Sequence, residues 1–552
     1  MDNNTGKWWD KFGAPQYGGE ITIRANRNIQ NFDPYFDESN LCSIQGAWME
    51  RLACDDWTLD PSAWDTQLGW HPPQVKKGLL AESWEFTGPH THVVHLRKGV
   101  HWQDIPPANG REFTADDVVF HFKRLYGPAG DFSQPSPNHV GVNAFPDLIS
   151  VTAADRYTVV FQFKTANQAS VLWTLYNFSL AQCMENSEAV QKWGDVGDWH
   201  HAIGTGPFIL KDFIPHKSAS LIKNPNYWGY DERHPQNKLP YVDGVRYLII
   251  PEETDALELM RAGKLDVMFV LSPVPAHAMK KTNPEILQIP AGIAPPPSLE
   301  MRLEAAPFSD IRVRRAMQMA LDLPAIAKSY YGGLVDPYPA TITSRTMKGW
   351  GFPYEEWPQD LKDEYAYDPV AARQLLADAG YPHGFKTNVI ANTAADMNML
   401  QIIKFYFTNI GIDLEIRKKD PEEWIAFVEK EHKHDQLIYR PYGPFGHTYE
   451  PQRQIGKFRF DPVTNSLFQK AGIATREDEL RQLLKEANER ALRQHFAIST
   501  LQPQGYALYQ PWFKGYNGQA HSIWMNGGGP VMASFYLSRF WIDGKLKKSF
   551  VH

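Results

Sequence analysis

The sequence predicts an α/β fold in which helices cross between the strands of mixed sheets. One segment has the pattern of a βαβ unit: residues 241–250 are extended, an apolar helical face stops at Gly263, and Leu265 restarts an extended run. A strand, a crossover helix and a second strand in this order are typical of sheets that contain parallel strands. The 552 residues also suffice for several domains of roughly 150 residues each.

Composition and charge narrow the class of protein. Apolar residues make up 43% of the chain and charged residues 22%, which is ordinary for a globular protein. No apolar run approaches the roughly 18 residues that would span a bilayer. The net charge is only −7, and lysine and arginine are scattered along the chain. We therefore expect neither a membrane-spanning protein nor a nucleic-acid partner.

Four strands are predicted from alternation and branching. Isoleucines alternate with polar residues in Glu20–Arg24, and 158–163 shows the same period of two. His92–Leu96 is rich in β-branched residues, and Gly99 follows it where a tight turn needs a positive φ. A Pro-rich stretch leaves room only for a short strand at 299–303.

The first long helix is expected to begin at Thr114. The hydroxyl of Thr114 can cap free amides of the first turn, and Asp117 lies three positions on, as in a capping box. Val118, Phe122 and Leu125 recur at i, i+4 and i+7, which predicts the buried face of this helix.

Three later helices have apolar residues at helical spacing. One follows Asp310. A second begins at Asp368 with Pro369 in its first turn and ends at Gly380, in agreement with the preferences of helix ends. The third is a charged amphipathic helix over 476–494.

Several strings in this order resemble the signature of the family 5 extracytoplasmic solute-binding proteins, the peptide and nickel receptors of ABC importers. The strings are LAESW (80–84), VVHLRKGVHW (93–102), FTADDVVFHFKRL (113–125), GTGPFIL (204–210), NPNYW (224–228), RAGKLDV (261–267), PFSDIRVRRA (307–316) and YDPVAARQLLADAGYP (367–382). The resemblance extends from Gly18 to about Trp541.

The resemblance implies a two-lobed, class II periplasmic-binding-protein-like fold with hinge strands and an extra inserted domain. We expect a flexible N-terminal tether (1–17), a discontinuous domain I (18–60, 205–293 and 521–552), an inserted domain II (61–204) and a domain III (294–520). The family resemblance also implies a monomeric receptor and not an enzyme. Such a receptor encloses its solute by hinge closure and docks to the permease and ATPase subunits of an ABC importer.

The segment 437–452 resembles the family loop that lines the cleft of peptide receptors, approximately RAGWxADYxDP. Arg440 matches the basic position, and Glu450 matches the closing acid. The acid that pairs with the peptide's ammonium group is missing, because Gly446, His447 or Thr448 falls there. The candidate ligand-binding residues are Phe32, Tyr35, Trp424, Arg440, Tyr442, Phe445, His447, Glu450 and Trp524.

Several functions stay open at this point. The solute is an oligopeptide or peptide-like molecule, with Glu450 or another acid as its amine anchor, or a cello-oligosaccharide stacked on Tyr442, Phe445, Trp424 or Trp524. A different class is an extracytoplasmic hydrolase of peptides or glycans, although the chain contains no GxSxG, HExxH, phosphate-loop or GxGxxG motif. A sensor or chaperone-like binder that serves no transporter is a third class.

No metal or cofactor is expected. His432 and His434 are the best metal-like pair, but their i, i+2 spacing points the imidazoles apart. Cys42 and Cys54 enclose a short loop and form either a disulfide or buried thiols.

The N-terminus lacks the apolar core of a signal peptide. Either the protein is cytoplasmic, or a leader preceded Met1. The resemblance favours the second, with the protein in the periplasm or lipid-anchored to the outer face of the cell membrane.

Overall fold

The computed structural model describes residues 6–26, 28–34, 44–60, 76–126, 148–164, 183–270, 272–293, 296–342, 349–440, 461–474, 476–518 and 533–550. The chain divides into two compact units. Unit 1 comprises 1–270, 276–292 and 506–552, and unit 2 comprises 271–275 and 293–505.

The strands of the described residues, in chain order, are β1 (Glu20–Ala25), β2 (Ala53–Asp55), β3 (Lys76–Gly78), β4 (Ala81–Gly88), β5 (Thr91–Leu96), β6 (Leu148–Asp155), β7 (Thr158–Phe163), β8 (Phe208–Ile214), β9 (Ser218–Lys223), β10 (Tyr230–Asp231), β11 (His234–Lys238), β12 (Gly244–Ile249), β13 (Val267–Val270), β14 (Leu287–Ile293), β15 (Ser298–Met301), β16 (Phe385–Asn392), β17 (Ile412–Lys419), β18 (Leu437–Arg440), β19 (Ala497–Ile498), β20 (Gln504–Tyr509), β21 (Phe513–Lys514) and β22 (Trp541–Ile542).

The α-helices of the described residues are α1 (Ala115–Tyr126), α2 (Ser187–Trp193), α3 (Glu253–Arg261), α4 (Pro273–Thr282), α5 (Ile311–Met319), α6 (Leu323–Ser329), α7 (Gln359–Tyr365), α8 (Pro369–Asp378), α9 (Met397–Asn409), α10 (Pro421–Trp424), α11 (Pro462–Ile473), α12 (Glu477–Arg493), α13 (Ala533–Arg539) and α14 (Gly544–Phe550).

The main sheet of unit 1 is mixed, as the sequence predicts. Its order is β14-β20-β13-β1-β12-β9-β8. Strand β1 pairs in parallel with both β12 and β13, while β9 runs antiparallel to β12 and β20 antiparallel to β13. The predicted βαβ unit is confirmed: α3 connects β12 to β13, and these two strands flank β1. Gly263, with φ +66°, ends the crossover helix.

A second sheet in unit 1 is antiparallel and has the order β4-β5-β7-β6. Helix α1 packs on it with Val118, Phe122 and Leu125 buried, which confirms the predicted face. The Asp117 carboxylate accepts a hydrogen bond of 2.9 Å from the Thr114 backbone N–H, the acidic half of a capping box. Gly99 has the expected positive φ, +74°.

Unit 2 contains a five-stranded mixed sheet in the order β17-β16-β18-β15-β19. Strand β16 is parallel to both β17 and β18, and β15 is antiparallel to β18 and β19. One face of this sheet is covered by the hydrophobic core that α5, α6, α8 and α9 provide.

The later predicted helices are present as α5, α8 and α12. Asp310 caps α5 and Asp368 caps α8 through side-chain bonds to backbone N–H groups. Gly380, with φ +95°, follows the end of α8. Leu480 and Leu484 are among the buried residues of α12, as the amphipathic pattern predicts.

The described part of the predicted N-terminal tether packs on unit 1, while its flexibility stays a prediction. Trp9 is buried, and Trp8 lies against Trp57 with the two ring centroids 5.6 Å apart. A short 3-10 helix, Asp10–Phe12, follows. The sequence pattern missed this packing because tryptophans outside a periodic segment give no local sign of their partners.

Two further predictions bear on unit 1. Cys54 is a buried free thiol, in agreement with the thiol alternative, and Cys42 lies outside the described residues. The division into domains I, II and III stays a prediction. Up to residue 270, all segments that were assigned to domains I and II lie within the single unit 1.

Candidate ligand-binding site

Arg440 ends strand β18, directly before the segment that resembles the family's ligand loop. In the antiparallel pair of β15 and β18, Arg440 lies opposite Ser298 and Ile438 opposite Glu300. The Glu300 carboxylate therefore reaches Arg440 diagonally and accepts two hydrogen bonds, 2.7 Å from Nε and 2.8 Å from Nη2. This bidentate geometry fixes the plane of the guanidinium group.

A second carboxylate stands on the other side of Arg440. Helix α10 continues as a π-helix over Ile425–Lys430, and Glu429 of that helix places Oε1 3.8 Å from Arg440 Nη1. The distance is too long for a hydrogen bond but short enough for an ion pair. The side chains of Arg440, Glu300 and Glu429 are 30%, 20% and 49% exposed, so all three reach solvent.

The three side chains carry a net charge of −1 when ionised. Burial acts to lower the pKa of Arg440, but the ion pair with Glu300 outweighs it and raises the pKa above its ordinary value. Arg440 is therefore charged at every physiological pH, and the trio places two carboxylates beside one cation.

Trp424 lies in the core of unit 2. Its side chain is buried with Ile390, Val428 and Ile438, and its Nε1–H donates a 3.1 Å hydrogen bond to the Ile390 carbonyl oxygen. Both the face and the polar atom of the indole are occupied by the protein. The predicted stacking of a sugar on Trp424 has no open ring face in this structure.

Phe32 lies in unit 1 and is also buried. Its ring is 4.9 Å from that of Phe213 and 6.2 Å from that of Trp48, centroid to centroid. The next residue, Asp33, forms a buried ion pair with Arg124 of α1. These contacts hold the segment that follows β1, and the predicted contact of Phe32 with a solute stays a prediction.

The remaining candidates lie outside the described residues: Tyr35, Tyr442, Phe445, His447, Glu450 and Trp524. Their predicted roles are unchanged.

Sequence reasoning did not identify Glu300 and Glu429. Glu300 belongs to a strand that was recognised, but which residue of β18 it faces depends on the register between segments about 140 positions apart in the chain. Glu429 depends on the π-helix, which has no clear sequence signal.

Metal binding and membrane spanning find no support in the described part of the chain. No group of three or more His, Cys, Asp and Glu side chains there is arranged to hold a metal ion. None of the described helices combines the length and the apolar character that crossing a bilayer requires.

Comparison with known proteins gives relatives along most of the chain. Heme-binding protein A of Haemophilus influenzae is 28% identical over 484 residues, which are 80% of this chain and 83% of the relative. The glutathione-binding protein GsiB of Shigella flexneri is 25% identical over 415 residues, 74% of this chain and 71% of the relative.

A solved structure shows the fold. The periplasmic binding protein DppA of Helicobacter pylori, associated with an ABC transporter and solved with the peptide STSA, superposes with a TM-score of 0.74 at 20% identity. The match covers 96% of this chain and 99% of that one. The predicted α/β fold of the class II periplasmic-binding-protein type is confirmed.

The sequence profile of one family matches residues 76–458, which is more than half of the chain. The protein therefore belongs to the bacterial extracellular solute-binding proteins, family 5.

Proposed function

We propose that this chain is an extracytoplasmic receptor that binds a peptide or peptide-like solute and delivers it to the permease and ATPase subunits of an ABC importer. Family membership supports the receptor role. Relatives support the solute class, because GsiB is a glutathione-binding protein and DppA was solved with a tetrapeptide. Binding without turnover distinguishes this receptor from the hydrolase alternative.

The observation that carries the solute class is the trio of Glu300, Arg440 and Glu429. A peptide's free amine needs a carboxylate partner, because an ammonium group taken out of water without one is strongly destabilised. The family loop lacks that acid in this sequence. Glu429 lies 3.8 Å from Arg440, which directly precedes the loop, and its side chain is 49% exposed, so that a solute amine can reach the carboxylate. We assign the amine anchor to Glu429, with Glu300 holding Arg440 in place.

Replacing Glu429 by Gln tests this assignment. The variant should bind the free tetrapeptide STSA about tenfold more weakly, as the loss of one partly exposed charge pair predicts. Its affinity for the N-acetylated peptide should equal that of the unmodified protein. Isothermal titration calorimetry measures both.

The matched control is Glu422→Gln, which removes an exposed carboxylate from α10 in the same helical segment. It should leave both affinities unchanged. Equal losses for the free and the acetylated peptide would show that Glu429 does not recognise the amine. Product released from the peptide would contradict the receptor role itself.

Heme is a second candidate solute, favoured by the 28% identity to heme-binding protein A over 484 residues. Absorbance titration with hemin checks it: a saturable shift of the Soret band at one equivalent, together with no calorimetric signal for peptides, would replace the peptide proposal. Cello-oligosaccharides have less support, since one of their four proposed stacking residues, Trp424, is buried.

The proposal also includes the cellular location of the receptor and its hinge closure on the solute. The family is extracellular, which supports a position outside the cytoplasm, in the periplasm or at the outer face of the cell membrane. Hinge closure on binding stays a prediction, and small-angle scattering with and without solute tests it.

A further inference from the structure

The two ends of the chain meet on one part of unit 1. The Lys11 ammonium group donates a 2.5 Å hydrogen bond to the Asn517 side chain, and a Cβ atom added at Gly19 would lie 3.6 Å from Ile542. Strand β21 pairs with β22, and the rings of Trp512 and Phe550 are 5.6 Å apart. Residues 7–19, 512–517 and 541–550 thus form a continuous region, which we call the terminal surface.

The terminal surface is rich in lysine although the whole protein carries a net charge of −7. Its lysines are Lys7, Lys11, Lys514, Lys545, Lys547 and Lys548. Helix α14 alone contributes three of them within seven residues.

The terminal surface contains two acids, Asp10 and Asp543, against its six lysines, and a third acid, Asp266, is bonded to it. Asp266 is almost fully buried and forms a 2.8 Å ion pair with Lys547. Asp543 accepts a hydrogen bond from the Leu546 backbone N–H, and Asp10 accepts one from that of Lys7. Lys545 and Lys548 are exposed and have no ion-pair partner among the described residues. Their charges are available to an external partner.

Helix α14 is also amphipathic. Lys545 and Lys548 are three positions apart and share its outer side. Phe550 contacts Trp512 at the edge of the helix, yet 47% of its surface remains exposed. At 3.6 residues per turn, Phe550 lies about 140° around the helix from Lys545 and about 160° from Lys548, so the ring faces Trp512 and the two lysines face outward. An outward lysine side suits an anionic membrane surface.

We propose that the terminal surface docks on an anionic phospholipid bilayer, with Lys545 and Lys548 facing the lipid phosphates. This inference rests on the extracytoplasmic location of the proposed function. It would hold the receptor close to the membrane in which its importer lies, independently of any covalent lipid.

Vesicle flotation of the full chain tests the proposal, with phosphatidylglycerol-containing vesicles compared with pure phosphatidylcholine vesicles. We expect binding to the anionic vesicles at low salt, weaker binding as salt rises, and none to the neutral ones. The double variant Lys545→Glu and Lys548→Glu should bind the anionic vesicles at least about tenfold more weakly. Lys545→Gln with Lys548→Gln should give a smaller loss.

The matched control reverses Lys280 and Lys281, two exposed lysines in the last turn of α4, and should bind like the unmodified protein. Equal losses in the control, binding to neutral vesicles, or absence of binding to anionic vesicles would each overturn the proposal. Solute affinity measured in the same variants separates the two proposals, because the terminal surface contains none of the residues assigned to the solute.

Discussion

Glu50 is a carboxyl group completely buried in unit 1. Burial raises its pKa to about 7, although hydrogen bonds from Trp228 Nε1 and the Tyr227 hydroxyl act in the opposite direction. The folded protein therefore binds more protons at this position than the unfolded chain between pH 4.5 and about 7. The contribution of Glu50 to stability is greatest at low pH and is lost as the pH rises through about 7.

Glu50→Gln should remove this dependence. Glutamine resembles the protonated acid, and its amide group can serve both Trp228 and the Tyr227 hydroxyl. We expect up to about 3 kcal/mol less variation of the free energy of unfolding across this range. Urea unfolding at pH 4.5, 5.5, 6.5 and 7.5 measures it; an unchanged pH profile would show that Glu50 does not titrate there.

His92 acts in the opposite sense. Its ring is buried against those of Phe86 and Phe161, 4.6 and 6.1 Å away, and burial lowers its pKa to about 4. The unfolded chain then binds more protons than the folded protein between pH 4 and 6.5. The contribution of the neutral imidazole is present above pH 6.5 and is lost as the pH falls through about 4.

The two groups should therefore offset each other in the unmodified protein over pH 4.5–6.5. His92→Phe leaves the Glu50 slope alone, so the free energy of unfolding should fall as the pH rises, by up to about 3 kcal/mol. Glu50→Gln should show the reverse slope, and the double variant should keep the rise with pH that the lowered pKa values of the His434 and His495 imidazoles produce. The same urea series checks all three, and parallel profiles would contradict the assignment to these residues.

A substitution of Trp424 tests whether this residue packs in the core or contacts the solute. Because its indole is buried with its N–H bonded, Trp424→Ala should lower the free energy of unfolding by about 3–5 kcal/mol. The folded protein should keep its affinity for the solute. The neighbouring Ile425→Ala, at a side chain 39% exposed, should cost about 0.5 kcal/mol. A lost affinity in a stable Trp424→Ala protein would restore the predicted ligand contact.

At the scale of elements, two glycines after α8 allow the cost of a left-handed backbone to be compared with the cost of a steric collision. Gly384 precedes β16 with φ +75°, and a Cβ atom there would lie 1.9 Å from the Gly411 carbonyl oxygen, which precedes β17. Gly380 has φ +95° but open space around the same position. Both positions disfavour an L side chain, and only Gly384 adds a collision between two strands that pair in parallel.

Gly380→Ala should destabilise the protein by about 1–2 kcal/mol, the penalty of a left-handed backbone. Gly384→Ala should cost at least about 3 kcal/mol, because the start of β16 must move away from β17. Chemical unfolding of the two variants measures the difference. Similar losses in the free energy of unfolding for the two variants would show that the first residues of β16 and β17 can move apart at little cost.

The same glycines show what the sequence could predict. Gly380 was expected from the helix-end pattern of α8, a local signal. Gly384 was not, because its constraint comes from Gly411, a distant residue. The site follows the same division: Arg440 was identified by its position in the chain, whereas Glu300 and Glu429 depend on strand register and on a π-helix. Local chemistry predicted the elements, and pairing between distant segments decided the contacts.

At the scale of the whole molecule, unit 2 is nearly continuous in sequence. Apart from 271–275 it is the single segment 293–505. Every strand of its five-stranded sheet lies within that segment, and so does its main hydrophobic core, from Leu299 to Leu501. Unit 1, in contrast, needs residues from both ends of the chain. Unit 2 thus meets the usual condition for independent folding, a core of its own.

We therefore expect the isolated segment 293–505 to fold cooperatively. Its far-ultraviolet circular dichroism should show mixed α/β structure, and urea should unfold it in one transition. Leu400→Ala, which truncates a fully buried side chain of α9, should lower its free energy of unfolding by about 2–5 kcal/mol and do the same in the full chain. Phe405→Ala on the same helix, at a side chain 62% exposed, is the control and should change it little. A segment without a cooperative transition would mean that its core depends on unit 1, because no strand of its sheet is missing from it.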